Sequence, residues 1–248
     1  MESLGEKFRI APVTVLLAGA CVVGYVLEVL LLSGVRGIDL SGWALSGRAL
    51  ADGRWWTVVT HLFLHANLLH LLVNVLALWF IGPAVEMMLG RARYLVLYFL
   101  SGIAGGLLQT AFAQPTAELI GASGAVCGVL LSFTTAHPEM PLRALLFFIL
   151  PVSMKARTLG WGIIIVSLLC ALLRIVPQIG HLAHLGGAVT GALLTRWWAP
   201  VPRPRYSSNA AKRTDELLRR VMEEGLEGLS RDERKALEQL ADKPPRRR

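Results

Sequence analysis

The sequence predicts an all-α, polytopic membrane protein with six transmembrane helices and a small helical tail. Of its 248 residues, 54% are hydrophobic and only 17% are charged, and the mean hydropathy is +0.54. A soluble globular domain carries about 25% charged residues, so this composition excludes an ordinary soluble enzyme. The length leaves room for several apolar stretches of about 20 residues, the number that crosses the hydrocarbon core of a bilayer.

Six apolar stretches have the length of membrane spans. They lie near residues 13–32, 66–85, 94–113, 119–136, 159–176 and 181–198. The first stretch is too long for the core of a signal peptide, so it is predicted to be a retained span. Residues 144–152 are apolar but too few to cross, and Pro138, Pro141 and Pro151 interrupt this region. We expect this segment to extend the fourth span or to lie in the interface.

The spans divide the chain into three predicted parts. Residues 1–12 form a cytosolic N-terminus, residues 13–198 form the membrane domain, and residues 199–248 form a cytosolic tail. The membrane domain includes a long first loop at 33–60. Its tryptophans suit the headgroup level of a bilayer: they are Trp43, Trp55 and Trp56.

The basic tail has the composition of a soluble protein. Two short amphipathic helices are predicted from its apolar residues, which are Leu217, Leu218, Val221, Met222, Leu226, Leu229, Leu237 and Leu240. Ser230, followed three residues later by Glu233, has the spacing of a capping box for the second helix. The tail fits a solubilising extension and a docking module equally.

The basic residues outside the spans predict the orientation. In a six-span arrangement one side carries Lys7, Arg9, Arg91, Arg93, Arg143, Lys155, Arg157, Arg196, Arg203 and Arg205, and the other carries Arg36, Arg48, Arg54 and Arg174. Cytoplasmic loops are enriched in Lys and Arg, so both termini are expected in the cytoplasm, most simply of a bacterium. The net charge of +8 is therefore explained by topology, and no nucleic-acid partner is expected.

Polar side chains inside spans are informative, because lipid excludes them unless they are paired and functional. His70 and Asn74 lie one turn apart on one face of the second span, Ser123 lies near the start of the fourth, and His184 opens the sixth. Spans two, four and six run in the same direction. These four groups are therefore expected at one depth, near the extracytoplasmic face.

This set of side chains predicts nucleophilic catalysis. A serine hydroxyl becomes a nucleophile when an imidazole removes its proton, and the resulting oxyanion needs preorganised donors. Ser123 is the candidate nucleophile and His184 the candidate base. The donors are the backbone N–H of Ser123, the Asn74 amide and the His70 ring. No acidic residue accompanies them in their spans, so the sequence predicts a dyad rather than a triad.

Glycines support a close approach of the fourth and sixth spans. Each span has a GxxxG spacing that begins next to a candidate catalytic residue, with Gly124 and Gly128 on one and Gly187 and Gly191 on the other. Such spacings let the backbones of membrane helices meet. Close approach would bring Ser123 and His184 within hydrogen-bond reach.

Several motifs occur together in one order along the chain. They are THLFLH at 60–65, HLLVN at 70–74, GPAVE at 82–86, GASG at 121–124, and AHLGG at 183–187 followed by Gly191. Together they resemble the rhomboid family of intramembrane serine proteases. The resemblance implies hydrolysis of peptide bonds in or next to the transmembrane segments of membrane proteins, within a six-helix bundle and without a cofactor or metal.

The resemblance also implies roles for individual residues. Ser123 corresponds to the nucleophile, and His184, with glycines three and seven positions later, corresponds to the base in preference to His181. His70, Asn74 and Gly121 are implied to support the oxyanion. Structural roles are implied for His61, His65 and Glu86. Two positions depart from the family pattern, with Thr57 in place of an arginine and Cys127 in place of an aromatic residue.

Two other classes of function are open. A non-catalytic relative could bind membrane clients, but the retained serine and histidine favour an enzyme. A metal or haem protein could use imidazole ligands, for which the candidates are His61, His65, His70, His181 and His184. The lipid bilayer and transmembrane protein substrates are the expected partners, and the site is expected to open to the extracytoplasmic side.

Overall fold

A computed structural model describes residues 10–34, 42–146, 150–175, 179–198 and 209–242. Its helices are α1 (Pro12–Gly34), α2 (Gly47–Ala51), α3 (Thr57–Thr60), α4 (Leu68–Leu89), α5 (Arg91–Phe112), α6 (Ser123–Ala136), α7 (Ala156–Leu172), α8 (His181–Trp198), α9 (Asn209–Glu224) and α10 (Arg231–Asp242). Short 3-10 turns lie at His61–Phe63 and Leu226–Gly228, and two strands are β1 (Pro141–Leu146) and β2 (Leu150–Lys155). Parts of the predicted N-terminus, first loop and tail lie outside the described residues, at 1–9, 35–41, 199–208 and 243–248.

Each predicted span corresponds to a helix, namely α1 and α4 to α8. Within the described chain, three stretches are long and apolar enough to cross a bilayer: Pro12–Leu30, Leu68–Leu89 and Arg91–Phe112. Helices α6 and α7 are apolar but shorter. The all-α polytopic membrane class is confirmed, and the number of six crossings stays a prediction.

The centre of the bundle consists of α5, α6 and α8, which pack against one another. Gly187 and Gly191 of α8 lie against the backbone carbonyls of Gly124 and Gly128 of α6. A Cβ atom on either α8 glycine would overlap these carbonyl oxygens. Small residues let membrane helices gain van der Waals contact where hydrophobic burial offers no driving force between them. The two predicted GxxxG pairs thus face each other.

Helix α1 packs against α4, and Glu86 joins the two. Its carboxylate accepts hydrogen bonds from the backbone N–H groups of Val13 (3.0 Å) and Thr14 (2.7 Å) and from the Thr14 hydroxyl (2.8 Å). The first N–H groups of a helix have no acceptor within that helix. A side chain of α4 therefore caps the start of α1, and Glu86 is fully buried there.

The first loop is folded over the described residues 42–60. The Trp56 indole donates to the carbonyl of Gly42 (2.9 Å). Thr57, which stands at the position of the family's arginine, is buried, and its hydroxyl donates to the carbonyl of Arg54 (2.7 Å). The loop is thus held by local hydrogen bonds to backbone carbonyls.

A β-hairpin follows α6, which corrects the expectation that residues 144–152 extend the fourth span; the alternative, a location in the interface, stays a prediction. Strands β1 and β2 pair antiparallel, with Pro141 opposite Lys155 and Leu146 opposite Leu150. The segment therefore does not extend the fourth span, which ends at Ala136. The physical reason is its prolines, which cannot donate the backbone hydrogen bonds of a continuing helix. At its base, Lys155 and Arg157 both bind the Glu139 carboxylate.

In the tail, α9 packs against the 3-10 turn at Leu226–Gly228, and α10 packs against α4. The buried residues of this region are Leu217, Leu218, Leu226, Leu229 and Leu237. Ser230 and Glu233 exchange the two hydrogen bonds of a capping box, with N–O distances of 2.8 and 3.3 Å. The predicted pair of amphipathic helices is therefore present within the described tail.

Candidate active site

Ser123 and His184 are hydrogen-bonded to each other. The distance from Ser123 Oγ to His184 Nε2 is 2.9 Å. Ser123 is the first residue of α6, and His184 lies in the first turn of α8. Both side chains are partly exposed within the described chain. With the hydroxyl donating to Nε2, the imidazole is oriented to accept the serine proton.

The segment before Ser123 is fixed by the first loop. Leu45 and Leu119 exchange two backbone hydrogen bonds, of 3.0 and 2.7 Å. Closer to the serine, the N–H of Gly121 donates to the carbonyl of His61 (2.8 Å). Ser123 therefore starts a helix whose preceding chain is tied to the loop. The N–H groups of that first turn have no acceptor within the helix, so they remain available as donors.

The start of α8, which carries His184, is fixed by α5. The amide oxygen of Gln109 accepts the backbone N–H groups of Leu182 (3.0 Å) and Ala183 (3.4 Å). Gly105 of α5 lies so close to the carbonyl of Ala183 that a Cβ atom there would overlap it. Gln109 thus caps α8 from a neighbouring helix and holds the turn that presents His184.

His70 and Gly121 are in direct contact. A Cβ atom built on Gly121 would lie 2.5 Å from Cε1 and 2.7 Å from Nε2 of His70. Gly121 also has a φ of +120°, which side-chain-bearing residues rarely adopt. Both facts require glycine at this position. The His70 ring therefore lies against Gly121, which precedes Ser123 by two residues.

Asn74 is buried one turn below His70. Its amide nitrogen donates to the carbonyl of His70 (2.8 Å). An amide NH₂ group has two donors, so this bond leaves one for another acceptor. Asn67 caps the start of the same helix by accepting the backbone N–H of His70 (2.9 Å). The four residues on which the predicted site depends are therefore gathered at one end of α4, α6 and α8.

His61 and His65 are buried and bonded to backbone. His61 Nδ1 lies 2.8 Å from the carbonyl oxygen of Thr57, and His65 Nδ1 lies 3.3 Å from that of Phe63. Burial lowers the pKa of each ring to about 4, and the nearby His70 contributes for His65. Both rings are therefore neutral at pH 7. The contacts fit the structural roles that the sequence predicts for these residues.

Four of the five imidazoles of the metal or haem alternative have a hydrogen-bond partner in the described chain, the His70 ring being the fifth. His184 bonds Ser123, His61 lies against the carbonyl of Thr57, and His181 Nε2 lies 2.9 Å from the carbonyl oxygen of Ile175. Within the described ranges, no three His, Cys, Asp or Glu side chains converge as metal ligands would. No observation therefore favours that alternative.

One residue of the site region, Gln109, was missed in the sequence analysis, and for a second, Glu28, the sequence predicts only a partnered polar side chain in the first span. Gln109 caps α8, and Glu28 of α1 accepts the backbone N–H of His65 (3.0 Å). Both are polar residues within apolar spans. Since a lipid-embedded span selects against such residues unless they have a partner, their polarity was the signal that could have found them.

Comparison with known proteins places the chain in a family. The model of the rhomboid domain matches residues 52–199, more than half of the chain. The rhomboid protease GluP of Bacillus subtilis (strain 168) is 36% identical over 145 residues, which cover 57% of this chain and 26% of GluP. RHOMBOID-like protein 2 of Arabidopsis thaliana is 32% identical over 173 residues, covering 66% of this chain and 48% of that protein.

A third relative matches over a similar length. Rhomboid-like protease 3 of Toxoplasma gondii is 32% identical over 150 residues, covering 60% of this chain and 54% of that protein. Across the three, the matches span from about a quarter to about half of the relatives' own lengths. The matched domain contains all the residues of the candidate site, from His61 to His184. The chain belongs to the rhomboid family.

Proposed function

We propose that this chain is an intramembrane serine endopeptidase that cleaves membrane proteins in or next to their transmembrane segments. Ser123 is the nucleophile and His184 the general base. The observation that carries the proposal is the 2.9 Å hydrogen bond between Ser123 Oγ and His184 Nε2, made between two different helices. The names of the relatives, two of which are called proteases, support it.

The first half of the reaction forms an acyl-enzyme. Ser123 Oγ attacks the carbonyl carbon of the scissile bond while its proton passes to His184 Nε2. The carbonyl oxygen becomes an oxyanion, held by the backbone N–H of Ser123, the free N–H of the Asn74 amide and the His70 ring. Collapse of this intermediate breaks the C–N bond, and His184 gives its proton to the departing amine.

The second half restores the enzyme. A water molecule attacks the ester carbon while His184 accepts its proton, and the same donors hold the second oxyanion. Collapse breaks the bond between the carbon and Ser123 Oγ, the proton returns to Oγ, and the new carboxyl terminus leaves. The partial exposure of both side chains supports access of water from one face of the bundle.

The architecture of the site favours a locally unwound substrate. A helix in lipid keeps its carbonyls in internal hydrogen bonds, so a membrane segment must expose its backbone before a serine can reach it. We infer from the loop charges that both termini are cytoplasmic and that the site faces the extracytoplasmic side, most simply at a bacterial plasma membrane.

The test is cleavage of a transmembrane reporter by purified full-length protein in liposomes. Wild type is expected to cleave, while Ser123→Ala and His184→Ala are expected to lose at least about a thousandfold in rate. Ser167→Ala is the matched control, because Ser167 is a buried serine of α7 outside the site. Equal cleavage by wild type and both site variants would contradict the proposal.

Binding of membrane clients without cleavage is the second candidate. It predicts that wild type and Ser123→Ala capture the same membrane proteins and that neither one cuts them. Cleavage by wild type alone separates the two functions.

A further inference from the structure

One face of α1 contacts the chain just after the first loop. Residues 62–65, which we call the strap, meet three residues of α1 spaced along one side of the helix. The Cys21 thiol lies 3.9 Å from the carbonyl oxygen of Leu62. A Cβ atom on Gly24 would lie 2.5 Å from the carbonyl oxygen of Phe63, and Glu28 accepts the N–H of His65 at 3.0 Å. The strap therefore lies along α1.

Of these three contacts, the one made by Glu28 is the strong hydrogen bond. Its N–O distance of 3.0 Å is that of a full hydrogen bond, whereas the thiol contact of Cys21 at 3.9 Å is weak and the contact of Gly24 is packing alone. Its donor belongs to His65, which is only 1% exposed, and within the described chain the Nε2 atom of that ring is buried without a hydrogen-bond partner. The position of His65 is therefore determined by its backbone bond to Glu28, by packing and by the contact of Nδ1 with the Phe63 carbonyl inside the strap.

The other side of this region leads to Ser123. The His65 ring meets the His70 ring edge-on, with centroids 5.2 Å apart. His70 in turn lies against Gly121, and the carbonyl of His61, directly before the strap, accepts the N–H of Gly121. Two contacts thus connect this stretch of chain to the residues that precede the candidate nucleophile.

We propose that Glu28 is a positioning residue: by holding the strap through the His65 N–H, it orients the His70 ring and Gly121 beside Ser123. This inference rests on the proposed function and deepens it by giving α1 a part in the oxyanion site. The working feature is an acceptor oxygen at this position and not its negative charge, because the partner is an uncharged backbone N–H.

The proposal predicts different effects for two substitutions of one residue. Glu28→Gln keeps an oxygen acceptor, so its kcat should stay within about threefold of wild type. Glu28→Leu removes the acceptor, so its kcat should fall about tenfold or more while KM stays within about twofold, because the change acts on the oxyanion donors and not on the substrate contacts. Gly24→Ala should resemble Glu28→Leu, since its methyl group displaces Phe63 of the strap.

The matched control is Glu86, the buried carboxylate that caps the start of α1. Glu86→Gln and Glu86→Ala weaken the cap at the opposite end of the same helix. They should lower the thermal midpoint without a selective loss of kcat. The comparison is made between variants whose thermal midpoints fall by the same amount. If a Glu86 variant then loses as much kcat as Glu28→Leu, Glu28 has only a structural role and the proposal is wrong. A Glu28→Gln variant as slow as Glu28→Leu would also contradict it.

Hydrogen exchange measured by mass spectrometry tests the contact between Glu28 and the strap independently of any cleavage assay. Exchange over residues 61–65 should rise at least about tenfold in Glu28→Leu and Gly24→Ala but stay close to wild type in Glu28→Gln. Failure of wild type to cleave any reporter would count against the proposed function alone. Unchanged exchange in Glu28→Leu would count against the strap, whatever the cleavage result.

Discussion

The bundle centre and the tail are held together in opposite ways. In the centre, α6 and α8 meet through glycines with backbone against backbone, and the described packing leaves no room for one methyl group at Gly187 or Gly191. In the tail, α9 and α10 bury leucines and carry exposed ion pairs, such as Arg219 with Glu216 and Glu223. One region depends on the absence of side chains, and the other depends on their presence.

We attribute the difference to two solvents, lipid around the centre and water around the tail, which the sequence predicts to be cytosolic. Lipid gives no hydrophobic reward for bringing two apolar helices together, so close packing of small residues has to hold them. Water rewards the burial of leucines by about 25 cal/mol for each Å². The candidate dyad bridges α6 and α8. The distance between Ser123 and His184 therefore depends on the short backbone distance at the glycine contact. Substitutions in the centre should therefore affect the site more than substitutions in the tail.

The largest effect is expected at the glycine contact. Gly187→Val should abolish cleavage, with a loss of at least about a hundredfold, because its side chain forces α8 away from the Gly124 carbonyl and lengthens the Ser123–His184 distance. Rates on a transmembrane reporter measure this. Gly162→Ala is the control, since it lies in α7 with nothing within 4 Å of an added Cβ. An equal loss in both variants would show that the contact has no special role.

A smaller effect is expected where the site needs an unusual backbone. Gly121→Ala places a Cβ atom against the His70 ring and strains a residue at φ +120°. Such strain costs about 1–3 kcal/mol, so activity should fall roughly ten- to a hundredfold. Gly53→Ala also places a side chain at a positive φ, +78°, in the first loop, but with open space around it. Its activity should stay close to that of wild type.

Acid should destabilise the membrane domain before it affects the tail, through two histidines that lie just before α4. His61 and His65 have a folded pKa of about 4, below the ordinary value of 6.5, so the unfolded chain binds more protons at intermediate pH. Each neutral ring contributes up to about 3 kcal/mol to the free energy of unfolding. This contribution is complete above pH 6.5 and is lost as the pH falls towards 4. In the tail, Arg219 lowers the pKa of Glu216 below 4.5, so that contribution is lost only at lower pH.

Tryptophan fluorescence can follow this difference, because all seven tryptophans lie between residues 43 and 198. The thermal midpoint of unfolding measured by fluorescence should decrease as the pH is lowered from 6.5 to 4. The rate of limited proteolysis of the tail should change only below about pH 4.5. His61→Gln and His65→Gln should flatten the fluorescence profile. A midpoint that is independent of pH over this range would contradict the assignment.

The smallest effect on activity is expected from the tail. Leu237→Ala removes a fully buried side chain of α10 and should lower the local stability of the tail by about 2–5 kcal/mol. Proteolysis of the tail should accelerate, while reporter cleavage should stay within about twofold. Lys235→Ala, an exposed position on the same helix, is the control. Loss of cleavage in Leu237→Ala would give the tail a part in the activity.

The fold class and the helices could be predicted from the sequence because their signals are local. Runs of apolar residues mark the six helices, and the spacing of Ser230 and Glu233 marks a cap that is present. The hairpin at Pro141–Lys155 could not be predicted in this way. Its apolar residues have no clear period, and only pairing across a turn separates a strand from the continuation of a span.

The gathering of the candidate site was predictable for a different reason. Parallel spans carry their ends to the same face, so Ser123 and His184 were expected at one depth without any knowledge of packing. The supporting contacts were not predictable, because they join residues far apart in the chain. Glu28 with His65 and Gln109 with Leu182 are examples, and their partners are backbone N–H groups that no side-chain pattern reveals.

The most direct test of the central claim is chemical. Purified wild-type protein should react with a fluorophosphonate, a covalent probe of activated serines, and mass spectrometry should locate the label on Ser123. His184→Ala should remain folded and lose the labelling, because the hydroxyl then has no base. Labelling that falls on another serine, or that is unchanged in His184→Ala, would contradict a Ser123–His184 dyad.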